Sequence, residues 1–290
     1  MIKIEDIHYY LPNDPIDNDY LGSKNPSWDM SVLYNKTGVG IRYYAKDDET
    51  ALDMSIKACE KLFKNKPELR NIIDGLIFCT QSNDYIMPPN SSILHGALNL
   101  SEEVFAYDFN LACSGFVYGL SMSHGLISGG IAKHILLINA DTYSKYINKR
   151  DRSTKVLFGD AASVAYLKKS NDYKGIIGFR SSTSGKNYKK FIIPAGGLRM
   201  PKSEKTTLVS KDKSGNERSS ENIHMDGMGI FAFVNSKVPK QINLLLKEHN
   251  FSTNDIDLFI FHQASKLAID SLTRILKIDK GKVFTNIESV

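Results

Sequence analysis

Asp257–Ser265 reads DLFIFHQAS, and Asp74–Ser82, 183 positions earlier, reads DGLIFCTQS. Asp, Ile, Phe and Ser coincide in place. Both segments are short apolar runs of the kind that form buried strands, and each ends in a polar cluster. Each also follows a helical pattern. Ala51–Lys64 puts Leu52, Ile56, Cys59, Leu62 and Phe63 on one face, and Lys240–Asn250 leads into the second segment. Buried strands resemble one another, so the match is weak alone; the shared helix-then-strand context makes it an internal duplication. It predicts an α/β fold in two halves, 1–169 and 170–290.

Working outward, Ile2–Ile7, Val104–Asn110, His134–Ala140 and Ala161–Leu167 read as further strands of the first half, with Ser114–Ser128 as a helix. Carried across the repeat, residue 290 corresponds to residue 107, inside the Val104–Asn110 strand, whereas the first half continues to about 168. The second half is therefore expected to be incomplete, with sheet edges and apolar faces left to be covered.

Composition narrows the class. Hydrophobic residues at 42% and charged residues at 24% suit a globular chain rather than a disordered one. The balance of 37 basic to 32 acidic residues is too mild to imply nucleic-acid binding. No run approaches the roughly 20 apolar residues of a membrane span. The amino end, MIKIEDIHYYLP, is broken by Glu5, Asp6 and His8 and has no signal-peptide core. Three cysteines, Cys59, Cys79 and Cys113, cannot build a disulfide framework and suit a reducing cytoplasm. Residues 181–222 hold nine Lys or Arg against four acids, an excess equal to the +5 net charge of the whole chain. That segment reads as a solvated flexible loop, or as a landing surface for an acidic partner or phosphates.

Cys113 stands out among the reactive groups. In NLACSGFVYGL it follows a strand and precedes a helix, where the positive end of the helix dipole favours a thiolate. The following Ser114 and Gly115 leave the approach uncrowded and backbone N–H groups open to an oxyanion. The alternative is a small buried hydrophobe, which is the reading for Cys59 and Cys79. His262 shares the strand-end, helix-start setting, where α/β proteins bind ligands, although such a His is as often structural. Arg152, in DRSTKVLFGDAA, reads equally as a phosphate ligand or a solvated side chain. The glycines at 125–130 and 227–229 form neither a phosphate loop nor a dinucleotide fingerprint. No Cys/His spacing suggests a metal.

Taken together, ACSGF at Cys113, DRSTKVLFGDAAS at Asp151–Ser163 and HQAS at His262 resemble the 3-oxoacyl-(acyl-carrier-protein) synthase III family, in that family's motif order. The resemblance implies a thiolase-like fold, a duplicated five-layer α/β/α/β/α arrangement. It implies a nucleophilic Cys113 acylated by acyl-CoA, followed by decarboxylative condensation with malonyl-acyl carrier protein. By the same resemblance His262 stabilises charge during decarboxylation, Arg152 contacts CoA, and Phe231 lines the pantetheine channel. No permanently bound cofactor, metal, nucleic acid or membrane is implied; the expected assembly is a homodimer.

Several positions depart from the family pattern. Lys36-Thr37-Gly38 carries Lys where the family has Arg, and Trp28 lies nine residues before Thr37. Ser265 replaces the Asn of HQAN. Met87 stands where an aromatic residue often closes the acyl pocket from the partner subunit. Val283–Ile287 reads as the strand before the family's third catalytic residue, an Asn in a Gly-Asn-Thr turn. The sequence reaches Val290 where that turn begins, so a chain ending there is expected to be crippled in condensation. Two other functions compete: acyl transfer to a hydroxyl or amine without decarboxylation, and a non-catalytic thiolase-fold subunit.

Overall fold

The structure is a computed structural model describing residues 1–170 and 174–289. Five strands form a mixed sheet: β1 (Ile2–Tyr10), β2 (Gly75–Cys79), β3 (Phe105–Phe109), β4 (His134–Asp141) and β5 (Ala161–Lys169). Their order is β1-β5-β4-β2-β3. Strand β5 runs antiparallel to both neighbours, and β2 pairs parallel with β4 and β3. Residues alternate between two faces, which is what lets the sheet carry helices on both sides. Leu76, Phe78, Leu136, Ile138, Val164 and Tyr166 join one core with helix α1 (Ala51–Asn65) and helix α2 (Asn90–Ala97). Ile77, Ile135, Leu137, Ala165 and Leu167 join the other with helix α3 (Gly115–Ser128).

Local chemistry sets the helix starts. Thr50 and Asp53 form a capping box at the head of α1. The predicted β1 ended at Ile7; its antiparallel pairing with β5 carries it to Tyr10, with a register shift between Ile4 and Asp6. Helix α2 was not foreseen. Its cap comes from Asp108 on β3, whose carboxylate accepts the Asn90 N–H at 2.7 Å and the Ser91 N–H at 2.8 Å.

By compactness the chain falls into two units: Met1–Asp14, Tyr43–Thr142 and Asp160–Phe179, and then Pro15–Arg42, Tyr143–Gly159 and Arg180–Val290. The sheet and α1–α3 belong to the first. In the second, helix α4 (Gly227–Glu248) precedes strand β6 (Phe259–Ile260), helix α5 (Lys266–Ile275) and strand β7 (Val283–Phe284). Strands β6 and β7 pair in parallel, so β6–α5–β7 repeats the grammar of β2–α2–β3. Phe259, Leu276 and Ile278 form its core, with Ile242 of α4 packed against them.

Three expectations need correction here. Helix α4 begins at Gly227, not Lys240, because Asp226 caps it through the Gly229 N–H at 2.8 Å and Pro239 is tolerated inside. The predicted strand Val283–Ile287 pairs only over Val283–Phe284. Residues 181–222 are not a structureless loop. They contain the Ser210–Lys211/Glu217–Arg218 hairpin, and Phe191–Ile192 pairs with His224–Met225.

Candidate active site

Cys113 lies exposed in the turn between β3 and α3, two residues before the helix begins. The Gly115 N–H donates to Ala112 O at 2.7 Å, which makes the turn tight. Gly115 is buried, and a Cβ there would meet Cys79 Cβ at 3.6 Å and Asn139 Oδ1 at 3.7 Å, and would overlap Cys79 Sγ. The seat of the Cys113 turn is therefore Cys79, whose thiol donates to Leu111 O at 3.2 Å. Burial pushes the Cys79 thiol up to about 11, so it stays protonated at neutral pH. Cys59 is fully buried on α1 and its thiol is pushed higher still by burial. Asn139 Nδ2 is buried without a hydrogen-bond partner among the described residues.

Met87 is 79% exposed and its neighbour Ile86 fully so, on the loop after β2. The loop's base is tied down. Asp141, at the end of β4, accepts from the Gln81 N–H at 2.7 Å and from the Ser82 and Thr80 hydroxyls at 3.1 and 3.3 Å. Burial raises the Asp141 carboxyl to about 6, against those hydrogen bonds, which lower it. Further along, the Asn90 side chain clasps Asp84, accepting its N–H at 3.0 Å.

The other five candidates lie in the second unit. His262 is exposed just past β6. Its neighbour Gln263 donates from Nε2 to Phe261 O at 2.9 Å and Phe284 O at 3.4 Å. Gln263 Oε1 accepts from Thr285 Oγ1 at 3.1 Å and the Asn286 N–H at 3.3 Å. Ser265 is the N-cap of α5 and accepts the Ala268 N–H at 3.2 Å, work that Asn does equally well. Lys36 is exposed in the last turn of the helix Met30–Thr37, where a cation complements the helix dipole. Gly38 ends that helix at φ 75°, and a Cβ there would strike Lys266 Cβ at 2.9 Å. Gly38 thus packs against Lys266, the residue that follows HQAS.

Arg152 is half-buried and donates to Ser214 O at 3.3 Å, so it is held rather than freely solvated. Beside it, Asp151 is fully buried, caps its own helical turn and accepts from the Ser153 and Thr154 hydroxyls at 2.6 and 2.8 Å. Arg218 Nε lies 2.8 Å from Asp151 Oδ2, an ion pair lacking hydrogen-bond alignment. Arg218 also donates to Asp212 at 2.7 Å. Burial would raise the Asp212 carboxyl, but hydrogen bonds from Asn216 and Ser214, with Arg218 nearby, hold it below its ordinary range. Phe231 is half-buried in α4, outside these links.

Sequence reasoning missed Arg42. It is 2% exposed and donates to Val39 O at 3.0 Å and to Val156 O at 3.3 Å. It fastens the Lys36-Thr37-Gly38 turn to the DRSTKV segment. A buried guanidinium bonded to carbonyls has no sequence signature. A surface hollow of about 450 Å³ beside Tyr10, Glu49 and Lys57 contains none of the candidates. Among the described residues no group of His, Cys, Asp or Glu is placed to hold a metal, and no helix is long and apolar enough to cross a membrane.

Comparison with known proteins bears on this arrangement. Family models described as 3-oxoacyl-[acyl-carrier-protein] synthase III and its C-terminal domain match residues 107–185 and 246–290. The beta-ketoacyl-[acyl-carrier-protein] synthase III of Rickettsia bellii is 34% identical over 282 residues, covering 96% of this chain and 82% of that protein. A crystal structure of a 3-oxoacyl-(acyl-carrier-protein) synthase III superposes with TM-score 0.96 at 36% identity, covering 99% of this chain and 86% of that one. A 3-oxoacyl-(acyl-carrier protein) synthase from Burkholderia xenovorans LB400 gives TM-score 0.87 at 31% identity, with coverage of 99% and 80%. The thiolase-like α/β fold is thus the fold of this chain. Identity at this level along nearly its whole length places the chain in the 3-oxoacyl-[acyl-carrier-protein] synthase III family.

Proposed function

We propose that the protein is an acyltransferase that condenses an acyl group from acyl-CoA with malonyl-acyl carrier protein. The observation that carries this reading is Cys113, exposed at the head of α3, in a chain that belongs to this family. In the first half-reaction the Cys113 thiolate attacks the acyl-CoA thioester carbonyl. Backbone N–H groups at the start of α3 face the tetrahedral oxyanion, and coenzyme A leaves as its thiolate, which takes a proton from solvent. In the second, the malonyl thioester loses carbon dioxide. The electron pair of the broken C–C bond forms an enolate, whose oxygen His262 stabilises. The enolate carbon attacks the acyl-cysteine carbonyl, and the Cys113 thiolate departs, leaving a 3-oxoacyl carrier protein.

The remaining candidates take supporting parts in this reading. Arg152 and Lys36 offer charge to the nucleotide phosphates, and Phe231 contacts the pantetheine arm. Ser265 sets the start of α5 behind His262. The two sequence halves, 1–169 and 170–290, are the duplicated modules. The protein works in the cytoplasm as a homodimer, joined along β3, the last strand of the sheet, with the Met87 loop reaching the partner's acyl pocket. No permanently bound cofactor is required, since both electrophile and nucleophile come from thioesters.

The test is to supply acetyl-CoA and malonyl-carrier protein and to follow carbon dioxide and 3-oxo product. In a chain that carries the family's Gly-Asn-Thr turn after residue 290 both are expected, and Cys113→Ala should abolish product. An acyl-enzyme that forms with no release of carbon dioxide would instead favour transfer to a hydroxyl or amine.

A further inference from the structure

The pairing of β6 and β7 is short: Phe259 with Val283, and Ile260 with Phe284, where the backbone ladder stops. One side chain continues it. Gln263 donates to the carbonyl of Phe261, one residue before His262, and to the carbonyl of Phe284, the last residue of β7. Its carbonyl accepts from the Thr285 hydroxyl and from the Asn286 N–H. An amide is the side chain able to do both, since it offers two donors and an acceptor on one rigid plane. Gln263 is half-buried, so these bonds are partly screened from competing water. The segment it holds also lies against Gly38: Ile287 Cγ2 is 3.1 Å from where a Cβ on Gly38 would sit.

From this we infer that Gln263 is a positioning residue, a side-chain rung that sets the strand end carrying His262 against residues 284–286. It touches no reacting atom in this account and acts through His262. The inference rests on the proposed condensation, in which His262 serves decarboxylation and Cys113 serves acylation. A rung lost at Gln263 should therefore separate the two half-reactions.

The experiment uses a chain that carries the family's Gly-Asn-Thr turn after residue 290, as parent, Gln263→Met and Gln263→Glu. Met matches the length of Gln and removes every polar contact. Glu keeps the acceptor and loses the donors while ionised, but regains an O–H donor when protonated. Three quantities are read: Cys113 acylation by acetyl-CoA from intact mass, kcat and KM for carbon dioxide release from malonyl-carrier protein, and the pH profile of that release.

Gln263→Met is expected to acylate within about twofold of the parent and to keep its KM. Its kcat for decarboxylation should fall on the order of 100-fold, the cost of an ångström of misplacement. Gln263→Glu should fall comparably at pH 8 and recover as pH drops toward 5.5, a recovery that Gln263→Met lacks. Parent-like decarboxylation in both variants overturns the inference. So does a proportional loss of acylation and decarboxylation, or equal pH profiles in the two variants. A parent that forms acyl-enzyme but releases no carbon dioxide overturns the condensation reading itself, and this inference with it.

Discussion

Replacing Gly115 by Ala tests the claim that Cys79 seats the Cys113 turn. The added Cβ would overlap Cys79 Sγ and touch Cys79 Cβ at 3.6 Å and Asn139 Oδ1 at 3.7 Å. Cys79 cannot retreat, because it is 4% exposed and its strand is paired on both sides, to Phe109 and to Asn139. The start of α3 must give instead, by about 1 Å, to restore a normal contact of about 3.5–4 Å. Overpacking of this kind costs about 1–3 kcal/mol, and the better helix propensity of Ala returns about 1 kcal/mol. The net loss of stability is then about 0–2 kcal/mol, leaving a folded protein. Cys113 sits two residues away on the displaced turn. Acylation by acetyl-CoA, followed by quenched-flow intact mass, should slow on the order of 100-fold. Gly125→Ala in the same helix, where an added Cβ meets nothing within 4 Å, should acylate as the parent does. Adding Cys79→Ala to Gly115→Ala removes the overlapping sulfur and should restore much of the rate, a coupling between touching sites. Parent-rate acylation in Gly115→Ala, or no rescue in the double variant, would refute the reasoning.

Two further outcomes follow from the buried charges. Arg218→Ala leaves Asp151 fully buried without its cation, so unfolding in urea should show a loss of about 3–5 kcal/mol, while Arg150→Ala, an exposed arm, should change stability by less than about 1 kcal/mol; equal effects would contradict this. Asp141 has its folded pKa raised to about 6 from the ordinary 3.8, so the native state holds the proton more tightly than the unfolded chain. Its contribution to stability is then greatest below about pH 4 and is lost as pH rises through about 6, a change of roughly 3 kcal/mol. Subtracting the stability of Asp141→Asn from that of the parent across pH 4 to 7.5 should reveal this decline; a difference that is flat, or rises with pH, would refute it.

The sheet was legible because alternation is a local signal. Leu76-Ile77-Phe78 declares two buried faces in three residues, and the structure fills both. The failures share one physical cause, which is that the deciding partner lies elsewhere in the chain. Helix α2 starts on Asp108, eighteen residues beyond Asn90. The segment 181–222 looks like a loop by composition, yet its hairpin is pinned by Arg218 to the buried Asp151. Helix α4 extends well before Lys240, because Asp226 caps its first turn and Pro239 sits buried in the helix.

The candidate residues were legible to a different degree. Cys113 and His262 stand in motifs whose strand-end setting is visible locally. Gln263 and Arg42 carry no such mark, because each is defined by the carbonyls it reaches: Phe284 for one, Val39 and Val156 for the other. Ser265 is visible in the sequence as the replacement for the Asn of HQAN, whereas its task as the cap of α5 depends on the Ala268 N–H it accepts from.

The central claim is that Cys113 takes up an acyl group from acyl-CoA. Intact-protein mass after mixing with acetyl-CoA and longer acyl-CoAs, beside Cys113→Ala, measures it directly. The account predicts a gain of one acyl group in the parent and none in the variant. No gain in the folded parent, or an equal gain in Cys113→Ala, would contradict it.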